Sequence, residues 1–286
     1  MAYIEPSEFV TKMVDSGESK VYMSAKDTVI RAFMAGAILA LAASFAITVT
    51  VMTGSPLTGA ILFPVGFIML YLMKFDLLTG VFTLVPLALI DKRPGVTVNQ
   101  VLRNWGLVFI GNFGGALMVA FFISFILTYG YNTDGGAIAA KVGTIGESRT
   151  VGYKEHGLAG WITIFIRGML CNWMVSMGVV GAMISTSASS KMAAMWMPIM
   201  LFFFMGFEHS IVNMFLFPFS MIMGGEFTIS EYFLWNEIPT ALGNLVGGFV
   251  LVGLPLYYTH VRTSPERKLA VSADRQYVGS SENSPA

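Results

Sequence analysis

No charged side chain occurs between residues 32 and 73, and none between 77 and 90; only Lys74-Phe75-Asp76 separates the two runs. The pattern returns later. Apolar sequence runs from 192 to 207, is interrupted by Glu208-His209-Ser210, and resumes from 211 to 225. An apolar piece such as 194–207 or 210–223 has about 14 helical residues, roughly 21 Å, too short to cross a hydrocarbon core of roughly 30 Å alone. Two consecutive pieces are long enough. The pattern predicts two membrane segments, each broken in its middle. Backbone exposed at that depth is tolerated only where it lines a cavity or is buried in protein.

Continuous apolar stretches predict further spans at 29–52, 101–129, 159–186 and 238–259. With the broken segments 60–73/78–90 and 194–207/210–223 there are six. Residues 1–26 read as a short amphipathic helix, Phe9, Met13 and Val14 against Glu8, Lys12 and Asp15. It lies at the membrane surface or packs under the helices. Between spans, 130–158 reads as a polar, glycine-rich segment with Lys141, Arg149 and Lys154. Residues 187–191 form a loop, and 224–237 an acidic loop with Glu226, Glu231 and Glu237. The polar, serine-rich tail is expected to be largely unstructured. The predicted division is 1–26, a six-helix domain at 27–260, and a tail at 261–286.

Shifting the first half by 132 positions lays Phe75-Asp76 on Phe207-Glu208, Pro86 on Pro218 and Asn104 on Asn236. Gly111-Asn112 and Gly115 fall on Gly243-Asn244 and Gly247; with small slips, Arg31 matches Arg167 and Pro64 matches Pro198. So many matches in one register predict an internal repeat, about 29–129 and 159–259. Three spans per repeat is an odd number, so the halves are inverted relative to each other. The predicted fold class is an all-α membrane protein of two inverted three-helix repeats, with its second and fifth helices broken. Such repeats place a site near the midplane, at their interface. The face holding both termini, the 2–3 loop and the 4–5 loop carries 12 of the 17 Lys and Arg. By the positive-inside rule that face is cytoplasmic.

Composition agrees. Of 286 residues 55% are hydrophobic and 12% charged, with mean hydropathy +0.69; soluble domains carry about 25% charge. Net charge is zero, so nucleic acid is not an expected partner. The single cysteine, Cys171, excludes an intrachain disulfide and a cysteine-based zinc site; a buried packing role is expected. The 20 methionines are expected to fill helix interfaces. Acidic residues in 1–27 argue against a cleavable signal peptide. Gly-x-Ser-x-Gly and His-Glu-x-x-His motifs are absent, and His156 and His260 lie outside or at the edge of the spans. Neither an enzyme nor a cofactor, haem or metal is expected.

Breaking a helix frees N–H groups on one side and C=O groups on the other, and helix N-termini attract anions. Near the breaks stand Asp76, Leu78 and Thr79, and Glu208, His209 and Ser210. Thr79 offers a hydroxyl and His209 an imidazole that holds or passes a proton. Asn172, mid-span in the fourth helix, donates as well as accepts. A lone membrane histidine is often bonded only to a neighbouring helix. Position at a break, beside Glu208 and opposite Thr79 in the repeat, favours function. Asp76 and Glu208 are expected to cap freed backbone N–H groups rather than meet substrate. Asn112 and Asn244 are expected to glue helices at glycine-rich crossings. Phenylalanines such as 202–204 are core or lipid-facing, a few gating by dewetting. Lys74 pairs with Asp76 or Glu208, or reaches toward a vestibule.

Phe207-Glu208-His209-Ser210-Ile211-x-Asn213-Met214 resembles the most specific motif of the formate/nitrite transporter family. Asp76-Leu77-Leu78-Thr79, the segment Arg167…Cys171-Asn172-Trp173 and the paired Gly-Asn-x-x-Gly stretches match it as well. The resemblance covers roughly residues 5–262. It implies a six-helix, aquaporin-like protomer, a homopentamer with one pore per protomer in a bacterial inner membrane, and passive, pH-sensitive passage of small monovalent anions. By position, it makes His209 and Thr79 the central polar pair with Asn172 nearby, and sets Asn244 on the pore-facing part of the sixth helix. Phe63 and Phe202 line an outer constriction; Phe67, Leu78 and Val175 line an inner one. An outer vestibule gathers anions with help from Lys154 and Arg149. Two departures stand out: Lys74-Phe75 replaces small residues, and Val81 stands where a polar residue is common. The Cys-Asn-Trp stretch resembles formate members, so formate precedes nitrite and hydrosulfide. The other reading is a neutral-solute facilitator of aquaporin type, although Asn-Pro-Ala pairs are missing.

Overall fold

Proline in the first turn and a buried stripe shape the opening helix. α1 (Pro6–Tyr22) buries Phe9, Val10, Met13, Val14, Gly17 and Val21. It packs beneath the other helices, chiefly on the one that runs Leu78–Ile90. Gly17 permits this, because a Cβ there would collide with the Leu84 carbonyl. The computed structural model describes residues 3–263, and its elements are all helical. The tail expected from residue 261 falls, from 264 onward, outside the described residues.

Ser24 caps α2 (Ala25–Thr53) by accepting from the Asp27 N–H, and Gly54 ends it in the left-handed region at φ 68°. The second predicted span is α3 (Pro56–Leu62), α4 (Pro64–Leu72) and α5 (Leu78–Ile90). Pro64 separates α3 from α4, since it has no N–H and its ring crowds the preceding turn. The main break is the stretch 73–77, where Lys74 takes φ 56°. A Thr97/Gln100 capping box opens α6 (Val98–Leu127).

The polar, glycine-rich segment 130–158, for which the sequence pattern predicts no element, is largely helical: α7 (Gly136–Ser148) and α8 (Val151–Lys154). α7 buries Ala139, Val142, Gly143 and Gly146. Three of the four are small, and the packing is tight at Gly146, where a Cβ would strike the Ser220 hydroxyl. α9 (Gly157–Ile184), α10 (Ala188–Phe204) and α11 (Ser210–Ile222) follow, with the second break at 205–209. α12 (Ile229–Arg262) begins well before residue 238, so Glu231 and Glu237 are helical rather than in a loop. Its turns widen at Phe233–Glu237, Val246–Gly253 and Tyr258–Arg262. Pro239 and Pro255 follow the first two, and the widening spares their rings a clash with the fourth carbonyl back.

α2, α6, α9 and α12 are long and apolar enough to cross a membrane; the apolar pieces flanking the two breaks are shorter. α2 lies along α6, and α9 along α12. At the first crossing a Cβ on Gly115 would strike the Phe33 carbonyl; at the second, one on Gly247 would strike the Met169 carbonyl.

Candidate functional site

The two breaks are closed by the same chemistry. Asn112 Oδ1 accepts the Leu78 N–H at 2.9 Å, while its Nδ2 donates to the carbonyls of Asp76 (2.9 Å) and Ala32 (2.7 Å). Asn244 Oδ1 accepts the Ser210 N–H at 3.0 Å, while its Nδ2 donates to the carbonyls of Glu208 (3.0 Å) and Gly168 (2.7 Å). Residues 76, 78 and 112 map onto 208, 210 and 244 at the shift of 132 read from the sequence. The freed Leu78 and Ser210 N–H groups are therefore met by the asparagines, not by Asp76 and Glu208 as expected. An amide both accepts and donates, so one side chain satisfies the N–H and the C=O freed at a break. A carboxylate only accepts.

The acids serve cations instead. Asp76 is 3% exposed and pairs with Lys20 of α1. Glu208, fully buried, accepts from Asn213 Nδ2 at 3.0 Å, Asn236 Nδ2 at 3.3 Å and the Tyr153 hydroxyl at 3.4 Å, with Arg149 at 3.6 Å. Burial, then the Glu208 charge, push the Tyr153 phenol up from its ordinary range, against the pull of Arg167. Beside this group, Glu237 accepts from Ser210 and from the Tyr232 hydroxyl.

His209 ends the second break and caps α11, its Nδ1 accepting the Val212 N–H at 3.3 Å. That bond leaves the neutral ring's proton on Nε2. Nε2 faces the Thr79 hydroxyl at 3.4 Å, and both residues are buried. Phe202 stacks on the imidazole with centroids 5.4 Å apart, and Phe63 meets Phe202 edge-on at 5.7 Å. The breaks thus bring Thr79, His209, Phe202 and Phe63 together from separate parts of the chain. Phe67, Leu78 and Val175 are buried in the same apolar core, and Phe67 stacks on Tyr71.

Asn172, expected to offer a donor to an anion, has that donor engaged. Asn244, expected to join helices at a glycine-rich crossing and set on the pore-facing part of the sixth helix by the resemblance, has its own engaged at the break. Asn172 Nδ2 donates to the carbonyls of Thr79 (3.1 Å) and Asn244 (2.6 Å). It ties the first turn of α5 and the middle of α12 to α9. Ser176, one turn on, reaches Thr83 at 2.6 Å. Gly248 leaves room for this cluster, because a Cβ there would strike Asn172 and Thr83.

His209 and Phe202 line a cavity of about 160 Å³ that also holds Arg149 and Lys141. Lys154 lies outside it, bonded to Glu231 at 2.7 Å. Lys141, not marked out by the sequence, is thus the lysine on this cavity. Lys74 pairs with neither acid, because Lys20 holds Asp76 and Arg149 holds Glu208. It lines a second cavity, about 580 Å³, against α1. Among the described residues no three His, Cys, Asp or Glu side chains gather as a metal site; Cys171 is buried and unpaired to any other cysteine.

A family model described as formate/nitrite transporter matches residues 7–258. A Bacillus subtilis protein named uncharacterized transporter YrhG is 30% identical over 94% of this chain and 98% of its own. The probable formate transporter of Methanothermobacter thermautotrophicus is 33% identical, covering 82% and 89%. The formate channel FocA of Escherichia coli K12 is 31% identical, covering 86% and 91%. A solved structure titled FNT family ion channel superposes with TM-score 0.77 at 22% identity, over 88% of this chain and 98% of that one. One titled pentameric formate channel with formate bound gives 0.65 at 23%, over 82% and 96%. At such identities the structural likeness is one of fold.

Proposed function

Because the chain belongs to the formate/nitrite transporter family, we propose that this multi-pass membrane protein passes small monovalent anions passively and pH-sensitively, formate before nitrite or hydrosulfide. In this reading α2, α3–α5 and α6 form one three-helix repeat, and α9, α10–α11 and α12 form its inverted counterpart, in an aquaporin-like protomer. The matching Asn112 and Asn244 bonds support that arrangement. The protomer is one of a homopentamer in a bacterial inner membrane, with residues 1–26 and 261–286 cytoplasmic around the channel domain at 27–260. Relatives named formate transporter and formate channel, and a neighbour titled as a pentamer, support substrate and assembly.

The observation that carries the reading is the buried His209–Thr79 pair, beside Phe202 and within reach of a cavity bearing Arg149 and Lys141. An anion sheds hydration on entering an apolar constriction, at a cost of several kcal/mol. A weak acid escapes much of that cost by taking up a proton. Arg149 and Lys141 gather the anion, with Lys154 further out. Phe63 and Phe202 then narrow the path. His209 Nε2–H donates a hydrogen bond to the anion, while Thr79 fixes the anion's position. Once the ring has taken a second proton from solution onto Nδ1, releasing the Val212 N–H, the imidazolium either stabilises the anion or gives it the Nε2 proton and returns to neutral imidazole. Phe67, Leu78 and Val175 form the second narrowing. Asn172 and Asn244 hold the pathway wall, and Asp76 and Glu208 hold the two breaks against their cations.

Transport is expected to rise as pH falls from neutral. His209→Asn keeps hydrogen bonding but loses the titratable proton, so the pH profile should flatten and coupled proton movement should drop. Formate flux and internal pH recorded in the same proteoliposomes test this. A variant with the wild-type pH profile and proton stoichiometry would reduce His209 to a structural group. Nitrite, hydrosulfide and glycerol in the same panel separate formate from the other readings.

A further inference from the structure

The mechanism leaves the larger cavity unused. It is about 580 Å³, in the range of a small-molecule site rather than of one monocarboxylate. Five cations line it: Lys12 and Lys20 of α1, Arg31 of α2, Lys74 of the first break and Lys191 of α10. None of its lining residues is a carboxylate. Lys12 is paired with Glu8 and Lys20 with Asp76, neither acid lining the cavity. Arg31, Lys74 and Lys191 make no ion pair among the described residues. Arg31 and Lys191 are half-buried, and Lys74 is exposed. Three uncompensated cations held by three different elements exceed what a single monovalent anion balances. Ser16 and Ser19 of α1 add hydroxyl donors.

Lys74 also stands on a backbone that long side chains rarely adopt, φ 56°. At the deep side the cavity meets Tyr71 and Val179, one helical turn from Phe67 and Val175. An occupant here sits across the α1-side mouth of the proposed pathway.

We propose that this cavity binds a soluble, phosphate-bearing anion of charge −2 or greater, and that the bound anion closes this mouth to formate. The binding half stands on the cavity alone; the closure half rests on the transport reading above. Three separated cations match the spread-out oxygens of such a group, each lysine acting as a point charge and Arg31 as a fork.

The test uses sodium pyrophosphate and the full chain, at ionic strength held constant with chloride. Calorimetry on detergent-solubilised protein is expected to show saturable binding, one per protomer. Lys74→Ala and Lys191→Ala should each weaken it roughly tenfold, about 1.4 kcal/mol. Lys74→Arg should retain it, and size-exclusion profiles should match wild type. Absent binding, or equal affinity in the alanine variants, overturns the site. In phosphatidylcholine vesicles, pyrophosphate on the α1 side should lower formate flux in wild type and not in Lys74→Ala. Binding with unchanged flux overturns the closure. Binding in protein that passes no formate overturns the transport reading and leaves the site standing. Pyrophosphate binding in phosphatidylcholine that disappears on adding phosphatidylglycerol assigns the cavity to a lipid headgroup and overturns the soluble occupant.

Discussion

Asn112 and Asn244 each satisfy the one N–H and one C=O that a broken helix leaves open, and tie the break to a carbonyl inside a neighbouring helix, Ala32 of α2 or Gly168 of α9. Replacing either by alanine strands the two groups at the break in an interior without water, at about 1–3 kcal/mol for each. Asn112→Ala and Asn244→Ala should therefore lower thermal stability in detergent sharply. The Asp variants, which keep the acceptor and lose both donors, should fall nearly as far. An alanine variant that unfolds with wild type would return these residues to simple helix packing. Phe202 makes a different case. Its ring covers the imidazole and meets Phe63 edge-on, so Phe202→Ala should widen the passage and raise acetate permeability relative to formate. A packing loss of about 3–5 kcal/mol accompanies a buried Phe→Ala change. An unchanged acetate-to-formate ratio in folded protein would show that the ring does not gate. His209 was legible in the sequence, because a titratable group inside an apolar run is conspicuous; Thr79 came from its place at the matching break, and Phe202 only from the family resemblance. The capping was misassigned because spacing gives the break but not which side chain turns into it. Lys20 escaped notice because its partner Asp76 lies 56 positions away, and Lys141 because a single lysine in a polar stretch has no distinguishing pattern.

Both breaks, the long helices and the 132-residue register were readable because charge is rare inside hydrocarbon and its interruptions are sharp. α7 was not, since Ala139, Gly143 and Gly146 bury their faces through smallness rather than hydrophobicity. The same smallness brings α2 against α6 and α9 against α12. A valine at Gly115 would drive its Cβ into the Phe33 carbonyl, backbone that has no way to yield. Gly115→Val is expected to abolish recovery of monodisperse protein, and Gly247→Val to do the same at the Met169 carbonyl. Gly106 stands on the same α6 with nothing within 4 Å of its would-be Cβ. Gly106→Ala should leave the unfolding temperature unchanged or raise it, since glycine costs a helix about 1 kcal/mol relative to alanine. A stable Gly115→Val protein would mean that the two helices do not meet as closely as described.

Charge over the whole molecule predicts which way it sits. In the six-span reading of the sequence, the segments expected on one face carry 12 of 17 Lys and Arg, a bias that is expected to hold that face in the cytoplasm. The cavity with Arg31, Lys74 and Lys191 lies against α1, and Arg149 and Lys141 line the other cavity; the prediction puts the first toward the cytoplasm. The single cysteine makes the orientation measurable, because Cys171 is fully buried and gives no background with a membrane-impermeant maleimide. Thr133, exposed between α6 and α7, and Ser189, exposed near the start of α10, report opposite faces. In intact cells Thr133→Cys should label at once, and Ser189→Cys only after the membrane is permeabilised. Wild-type protein should stay unlabelled throughout. The reverse pattern would place the α1 cavity outside and Arg149 inside, so anions entering from the cytoplasm would meet the His209 cavity first. Equal labelling of both positions in intact cells would mean mixed insertion, and the charge bias would then not set the topology of this chain.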